Sequence, residues 1–186
     1  MQTQNKHSNN STLRKVPTLS LGSYTKGSES DKARFVEQLY SGMKDYGFIV
    51  LKDHDVSADV LKQAYQILEK FYQLPVEKKR SYISELGGGQ RGYTSFGTEH
   101  AKGSPVMDLK EFWHVGREVP ADHAFAKYYP QNIWPDDTVP EFRPLFEKLF
   151  AQLEQAGIQM MEALTYPLQV EKNFFKGMVQ EGNSIL

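Results

Sequence analysis

The sequence predicts an α+β fold in which helices dominate and a few short strands contribute. Three patterns support this prediction. The continuous apolar run Phe48–Leu51 follows Gly47 and precedes a polar stretch, which is typical of a strand buried on both faces. Apolar residues recur at helical spacing on either side of that run and again from Phe142 to Leu164. The aromatic and β-branched stretch Asp108–Val115 predicts another strand.

The first part of the folded chain is predicted to contain an edge strand and a helix. Residues 1–15 are polar and lack periodicity, so we expect a disordered tail before a folded region at 16–186. Val16–Leu21 alternates at the strand period. Ser28 and Asp31 form a capping pair for a helix that ends at Gly47, because glycine adopts the left-handed cap conformation at low cost.

The sequence after the central strand predicts a second helix and two non-helical connections. Ser57 is expected to cap the helix, which stops before Pro75. Residues 76–80 form a short charged turn in this interpretation. The glycine-rich stretch 87–92 reads as a flexible loop, since no Gly-Lys-Ser/Thr follows it to complete a phosphate-binding motif.

The C-terminal third is predicted to contain an irregular segment and then the longest helix. Residues 116–137 include three prolines and show no period. Thr138 with Glu141 is expected to open the long helix, and Pro144 should delay its start or kink its first turn. A last short helix is expected at Glu171–Val179.

The length of 186 residues and the composition favour one globular domain or slightly more, with a core of its own. Its 22 Lys and Arg against 23 Asp and Glu give a net charge of −1, so no global field favours nucleic acid or an anionic membrane as a partner. The absence of cysteine excludes disulfides and thiolate metal sites. No apolar run approaches the roughly 20 residues of a membrane-spanning helix, and no leader-like segment starts the chain, so we expect a cytoplasmic protein.

The candidate metal ligands are the five histidines, His7, His54, His100, His114 and His123. None of them has Asp or Glu two residues later. Neighbouring residues on a strand point to opposite faces, so the adjacent pair of His54 and Asp55 would not chelate one ion. No Gly-x-Ser-x-Gly nucleophile motif occurs, and any pair of catalytic carboxylates would have to be assembled by tertiary structure. These patterns therefore assign neither catalysis nor a metal site.

Seven short motifs occur in an order that matches a known enzyme family. They are Val16-Pro-Thr-Leu-Ser-Leu21, Tyr46-Gly-Phe-Ile-Val50, His54-Asp-Val56, Phe71-Tyr-Gln-Leu-Pro75, Glu77-Lys-Lys79, Arg91-Gly-Tyr93 and Asp108-Leu-Lys-Glu-Phe112. With these motifs, residues 16–186 resemble the N-terminal region of the isopenicillin N synthase-like family, whose members are non-haem iron, mostly 2-oxoglutarate-dependent oxygenases. Two local departures are Asp55, where the family usually has glycine, and Pro144, which interrupts a helix that is usually continuous.

The resemblance implies that the predicted strands join the edge of a double-stranded β-helix, a jelly-roll barrel that is absent from this chain. In the family that barrel holds Fe(II) through a His-x-Asp pair and a distant His, and an Arg-x-Ser pair binds 2-oxoglutarate. The longer enzyme would oxidise a small molecule by hydroxylation, desaturation or ring closure, with oxidative decarboxylation of 2-oxoglutarate. All of those family residues fall after residue 186, so the resemblance assigns no catalytic or metal-binding residue here.

Three residues are candidate substrate contacts under this resemblance. Arg91 and Tyr93 lie at the end of the glycine-rich stretch, at a position that overhangs the substrate pocket in similar enzymes. Lys110 is the third candidate, and it alternates with Glu111 on a predicted strand. One of those two charges should face inward, where it needs a partner or a polar cavity because an isolated buried charge is costly.

Two functions from different classes fit these observations. The first is the N-terminal part of an oxygenase, inactive alone and binding neither Fe(II) nor 2-oxoglutarate by itself, with the missing barrel as its partner. The second is a free-standing, non-catalytic binding module derived from the same family. In the first case, the Phe48–Leu51 strand should present an unpaired edge and an apolar patch in the isolated chain.

Overall fold

The computed structural model describes residues 15–86 and 88–186, and it is a mixture of long helices and short strands. In chain order the elements are β1 Thr18–Ser20, α1 Leu21–Thr25, α2 Glu29–Tyr46, β2 Val50–Lys52, α3 Ala58–Tyr72, α4 Val76–Arg80, β3 Gly92–Thr94, β4 Phe112–His114, α5 Phe142–Leu168 and α6 Phe174–Val179. The predicted disordered tail falls outside the described residues except for Lys15. The predicted mixture of helices and a few strands is confirmed.

Both ends of α2 form as the sequence indicates. The Ser28 side chain accepts a hydrogen bond from the Asp31 backbone N–H, and the Asp31 carboxylate accepts one from the Ser28 N–H, which completes a capping box. Gly47 closes the helix in the left-handed conformation, at φ +78°. These reciprocal bonds satisfy backbone groups that a helix end otherwise leaves without partners.

The central strand is shorter and more exposed than predicted. It covers Val50–Lys52 and pairs in parallel with β1, with Leu19 opposite Leu51. The expectation of burial on both faces is wrong for this chain, since Phe48 is 59% and Val50 48% exposed. The physical reason is that β1 is the one partner strand of β2 among the described residues, so the other edge of β2 is unpaired. The exposure of Val50 shows that one face of β2 is also uncovered.

Two proline-flanked helices differ from expectation in detail. Ser57 stands at the N-cap of α3, but its side chain makes no capping hydrogen bond. The predicted charged turn at 76–80 is instead a one-turn helix, α4, with Pro75 at its N-cap. Proline fits there because its missing N–H is not needed at a helix start.

The long helix α5 begins at Phe142, later than Thr138, as the proline predicted. Pro144 is its third residue and lies in the first turn, where backbone N–H groups have no partner within the helix. A second proline, Pro167, lies in the last turn, and the helix ends with Gln169 at φ +55°. The following helix, α6, starts three residues later than expected.

The second sheet is an antiparallel hairpin whose first strand was not predicted, and the predicted loop overlaps that strand at Gly92. β3 pairs with β4, with Gly92 opposite His114 and Tyr93 opposite Trp113. Gly92 adopts a positive φ of +72°, and a Cβ there would lie 2.5 Å from the Tyr82 backbone oxygen, so this turn into the strand requires glycine.

An aromatic core joins this hairpin to α3 and α5. The Phe71 side chain lies at the centre of this core and is fully buried. Five aromatic rings lie with their centroids 4.8–5.9 Å from it, those of Tyr72, Tyr82, Tyr93, Trp113 and Phe142. The hairpin therefore packs on this aromatic core through one of its two faces.

A second, smaller core of leucine, alanine and phenylalanine lies where β1 and α1 meet α2 and α5.

Candidate functional site

The core-facing side of the hairpin contains a buried polar cluster. Lys79, at the end of α4, places Nζ 2.7 Å from Oε2 and 2.9 Å from Oε1 of Glu111. The Tyr93 hydroxyl donates to the same carboxylate, and Lys79 also donates to the backbone oxygen of Tyr72 at 3.2 Å. The carboxylate thus receives a cation and a phenol in a largely apolar setting, which holds α4 against the hairpin.

The tyrosines of this cluster are held in the protonated form. Burial, with the hydrogen bond to Glu111 and the charge of that carboxylate, raises the pKa of Tyr93 well above its usual range. Burial and the same charge raise the pKa of Tyr72 to about 12. Tyr93 therefore acts as a hydrogen-bond donor at neutral pH and is not available as a base.

Arg91 is completely buried, and its hydrogen bonds all go to this chain. Nε donates to the backbone oxygen of Pro130 at 3.1 Å, one terminal nitrogen to the backbone oxygen of Gln90 at 2.8 Å, and the other to Oδ1 of Asn183 at 2.8 Å. Burial lowers the pKa of the guanidinium. Direct contact of Arg91 or Tyr93 with a substrate stays a prediction, since both side chains are enclosed by their own chain.

Lys110 and Glu111 point in different directions, as their alternation predicts. Glu111 is the inward member, and it has the partner that a buried charge requires. The Lys110 side chain is half exposed and lies 3.1 Å from Glu99 and 3.3 Å from Asp108. Of the three predicted substrate contacts, Lys110 is the one whose side chain is open to solvent.

The opposite face of the hairpin holds three residues that the sequence did not predict as substrate contacts, although His114 was a candidate metal ligand. Thr94, Phe112 and His114 share this face because cross-strand partners and alternate residues of a strand point the same way. The rings of Phe112 and His114 lie 4.7 Å apart. Nδ1 of His114 lies 2.7 Å from the backbone oxygen of Gly89, and the buried hydroxyl of Thr94 has no partner among the described residues.

This face could have been found from the strand period. Tyr93 and Trp113 are the large aromatic residues of the two strands and belong in the core, so their neighbours must face away from it. A buried hydroxyl without a partner is unfavourable. The face therefore combines an aromatic ring, an imidazole and a free hydroxyl within one hairpin.

The described residues do not supply an iron site. They contain no group of three or more His, Asp or Glu side chains placed to hold a metal ion. His114 and His123 are engaged elsewhere, the first with Gly89 and the second with Glu181 at 3.3 Å. A facial triad of three convergent ligands does not fit these residues.

None of the helices that the structure describes has the length and apolar character needed to cross a membrane.

Comparison with known families identifies the region to which this hairpin belongs. Residues 16–137 match the family described as "non-haem dioxygenase in morphine synthesis N-terminal". The chain belongs to this non-haem dioxygenase N-terminal family. The match includes every element from β1 to β4 and stops just before α5. It confirms the recognition of a non-haem oxygenase N-terminal region from the seven sequence motifs.

Curated relatives carry dioxygenase names. The chain is 30% identical over 152 residues to the 2-oxoglutarate-dependent dioxygenase caaD of Aspergillus niger. The aligned region covers 80% of this chain and 47% of that protein. It is 27% identical over 150 residues to the 2-oxoglutarate-dependent dioxygenase thnC of Trichoderma harzianum, with the same two coverages. The chain thus spans about half the length of the curated relatives it matches.

Solved structures share the fold over nearly the whole chain. A putative 2OG-Fe(II) oxygenase family protein from Caulobacter crescentus superposes with a TM-score of 0.80 at 38% identity, over 91% of this chain and 54% of that one. A full-length Neurospora crassa protein in complex with alpha-KG gives a TM-score of 0.77 at 26% identity, over 91% and 52%. These chains too extend well beyond the matched region.

Proposed function

We propose that this chain is the N-terminal part of an Fe(II)/2-oxoglutarate-dependent oxygenase that oxidises a small molecule. The observation that supports this most directly is the family match over residues 16–137, in a chain about half as long as relatives named 2-oxoglutarate-dependent dioxygenases. Fe(II) and 2-oxoglutarate would be held by residues outside this chain. The region described here would not be active alone.

The partner of this region would be the catalytic barrel, and strand β2 is where we place the contact. β2 has a free edge among the described residues, and Phe48 and Val50 present apolar side chains beside it. A strand added at that edge would satisfy the open backbone groups and cover both side chains. The same surface would serve a different protein partner if the chain were a free-standing module.

The contribution of this region to the longer enzyme would be one wall of the substrate pocket, formed by the hairpin. Lys110 is open to solvent and could meet a substrate directly. Arg91 and Tyr93 would hold the strand from its core side, and their direct contact remains part of the proposal. Thr94 and His114 add a hydroxyl and an imidazole on the other face, so that the hairpin could bind a substrate through both charge and hydrogen bonds.

The test of the enzyme assignment begins with the nucleotide sequence. Reading beyond codon 186 in all frames should reveal His-x-Asp, a later His and Arg-x-Ser. The longer protein, expressed from that sequence, should form succinate from 2-oxoglutarate with Fe(II). Absence of the triad in every frame, together with no succinate formation, would contradict the oxygenase assignment and favour the binding module.

Substrate contact can be tested in the same longer protein once a substrate is found. Lys110→Ala, at the exposed candidate contact, should raise the substrate KM while leaving substrate-free decarboxylation of 2-oxoglutarate nearly unchanged, since only substrate binding is altered. Tyr93→Phe, which keeps the buried ring and removes the hydroxyl, should have the same effect. Lys102→Ala, which removes an exposed lysine of the neighbouring loop, is the matched control. Equal loss of both activities would contradict the contact role.

A further inference from the structure

The last residues of the chain run antiparallel to residues 115–117, which directly follow β4, and Gly116 and Ile185 form an isolated β-bridge there. We call residues 183–186 the third strand. The N–H of Val115 donates to the Leu186 oxygen at 2.9 Å, and the N–H of Leu186 donates back at 2.7 Å. The N–H of Arg117 donates to the Ser184 oxygen at 3.1 Å, in the pattern of an antiparallel ladder. The strand is only four residues long, so these few bonds need support from side chains to fix its register.

The buried side chain of Arg91 supplies this support from the protein interior. Its guanidinium joins three segments that are far apart in the sequence, through the oxygens of Gln90, Pro130 and Asn183. Asn183 is the residue at which the third strand begins. All three acceptors are uncharged, so this buried cation is held by directed hydrogen bonds and not by a contacting carboxylate. The planar fork of arginine suits this task, since it donates in several fixed directions at once.

Gly116 shows how closely the guanidinium fits beneath the strand. A Cβ at this position would lie 1.8 Å from the Cζ of Arg91, so no larger residue is compatible with the present arrangement. The Asn132 side chain both accepts from the Gly116 N–H and donates to its oxygen, each at 2.8 Å. The Gly116 backbone, which lies opposite Ile185, therefore contacts the Arg91 guanidinium and is hydrogen-bonded to the Asn132 side chain.

We propose that Arg91 is a positioning residue that sets residues 183–186 in register as the third strand of the β3–β4 sheet. The proposal depends on contacts within this chain and is independent of the oxygenase assignment. It assigns Arg91 a role that substrate contact does not require. Lysine could keep the charge but not the three directed bonds, so charge alone would not replace it.

The test is amide hydrogen exchange measured residue by residue on the purified chain. Arg91→Lys should accelerate exchange of the Val115, Arg117 and Leu186 amides by about tenfold or more, because local opening of the third strand becomes easier. Asn183→Ala, which leaves the guanidinium in place and removes one acceptor, should accelerate the same three amides to a smaller extent. Arg143→Lys, at an exposed arginine paired with Glu147, is the control and should change none of them.

The amide of Tyr93, which donates to Tyr82, reports on the rest of the hairpin. It should exchange at nearly the parent rate in Asn183→Ala. Unchanged exchange of Leu186 in both variants would overturn the proposal. Equal acceleration at Tyr93 and throughout α3 in Asn183→Ala would also overturn it, because the contact would then support the whole fold and not the third strand.

Discussion

Lys79 and Glu111 form an ion pair that is almost completely removed from solvent, with side chains 7% and 14% exposed. The pair connects α4 to the residue that directly precedes β4, across 32 residues of sequence. The Tyr93 hydroxyl and the Tyr72 backbone oxygen complete its hydrogen bonding. Because few waters could replace either partner, the loss of one would leave the other charged and buried without compensation.

Glu111→Gln should therefore destabilise the chain strongly, by about 3–5 kcal/mol in the free energy of unfolding. The matched control is Glu99→Gln, which removes one of the two carboxylate partners of Lys110 at the surface and should cost at most about 1 kcal/mol. Replacing both residues with Lys79→Met and Glu111→Leu should recover much of the loss. Urea unfolding of the four proteins measures these differences, and a Glu111→Gln cost no larger than the control would contradict the buried pair.

Gly116 and Gly157 provide a matched pair of glycine substitutions with opposite expected signs. Gly116→Ala should destabilise the chain, because the added Cβ would overlap the Arg91 guanidinium. Gly157→Ala, inside α5 with no heavy atom within 4 Å of the added Cβ, should stabilise it by about 0.5–1 kcal/mol through helix propensity. Thermal unfolding of both variants checks this, and a tolerated alanine at 116 would show that Arg91 can move.

Asp137 gives the chain a stabilising contribution that acid should remove. Hydrogen bonds from Lys78 and then from the Tyr82 hydroxyl hold the pKa of this carboxyl well below its usual range. A lowered pKa in the folded state means that the contribution is complete above the unfolded pKa, about 4, and is lost as pH falls below it.

Asp137→Asn should accordingly lower stability more at pH 7 than at pH 3. Denaturant unfolding of parent and variant at the two pH values measures the difference. The control is Asp136→Asn, which removes the neighbouring exposed carboxylate and leaves the hydrogen bonds of Asp137 in place. An equal effect of Asp137→Asn at both pH values would mean that the ion pair with Lys78 does not persist in solution.

The local signals in the sequence predicted those elements whose ends are fixed by local chemistry. The capping box at Ser28 and the left-handed Gly47 depend on neighbours within four residues, so the bounds of α2 follow from the sequence. β3 was missed because its three residues have no apolar alternation and form a strand through pairing with β4. The burial of Val50 was overestimated because burial depends on a neighbouring layer, which the residues of β2 do not reveal.

The site residues show the same limit. The alternation of Lys110 and Glu111 predicted that one charge faces inward, but the identity of its partner, Lys79, required the packing of α4 on the hairpin. Arg91 was recognised as notable from its motif. Its burial against Gly116 and Asn183 depends on segments that are distant in the sequence and could not be predicted from spacing.

The last prediction concerns the chain in isolation. It should neither bind Fe(II) stoichiometrically nor form succinate from 2-oxoglutarate, because the described residues offer no three convergent ligands. It should also self-associate through β2, where Phe48 and Val50 are exposed beside a free strand edge. Phe48→Ser combined with Val50→Thr should reduce the association, whereas Leu86→Ser, at a leucine 93% exposed in a loop, should leave it unchanged.

Anaerobic Fe(II) titration, a succinate assay and size-exclusion chromatography of the three proteins test these points together. One tightly bound iron with succinate formation by the parent chain would refute the missing-barrel interpretation. A parent chain that is monomeric and neither binds iron nor forms succinate would instead favour the free-standing binding module. The reason is that an apolar surface left uncovered by a missing barrel should cause self-association. Association lost equally in Leu86→Ser would place the contact elsewhere than β2, because that variant leaves both Phe48 and Val50 unchanged.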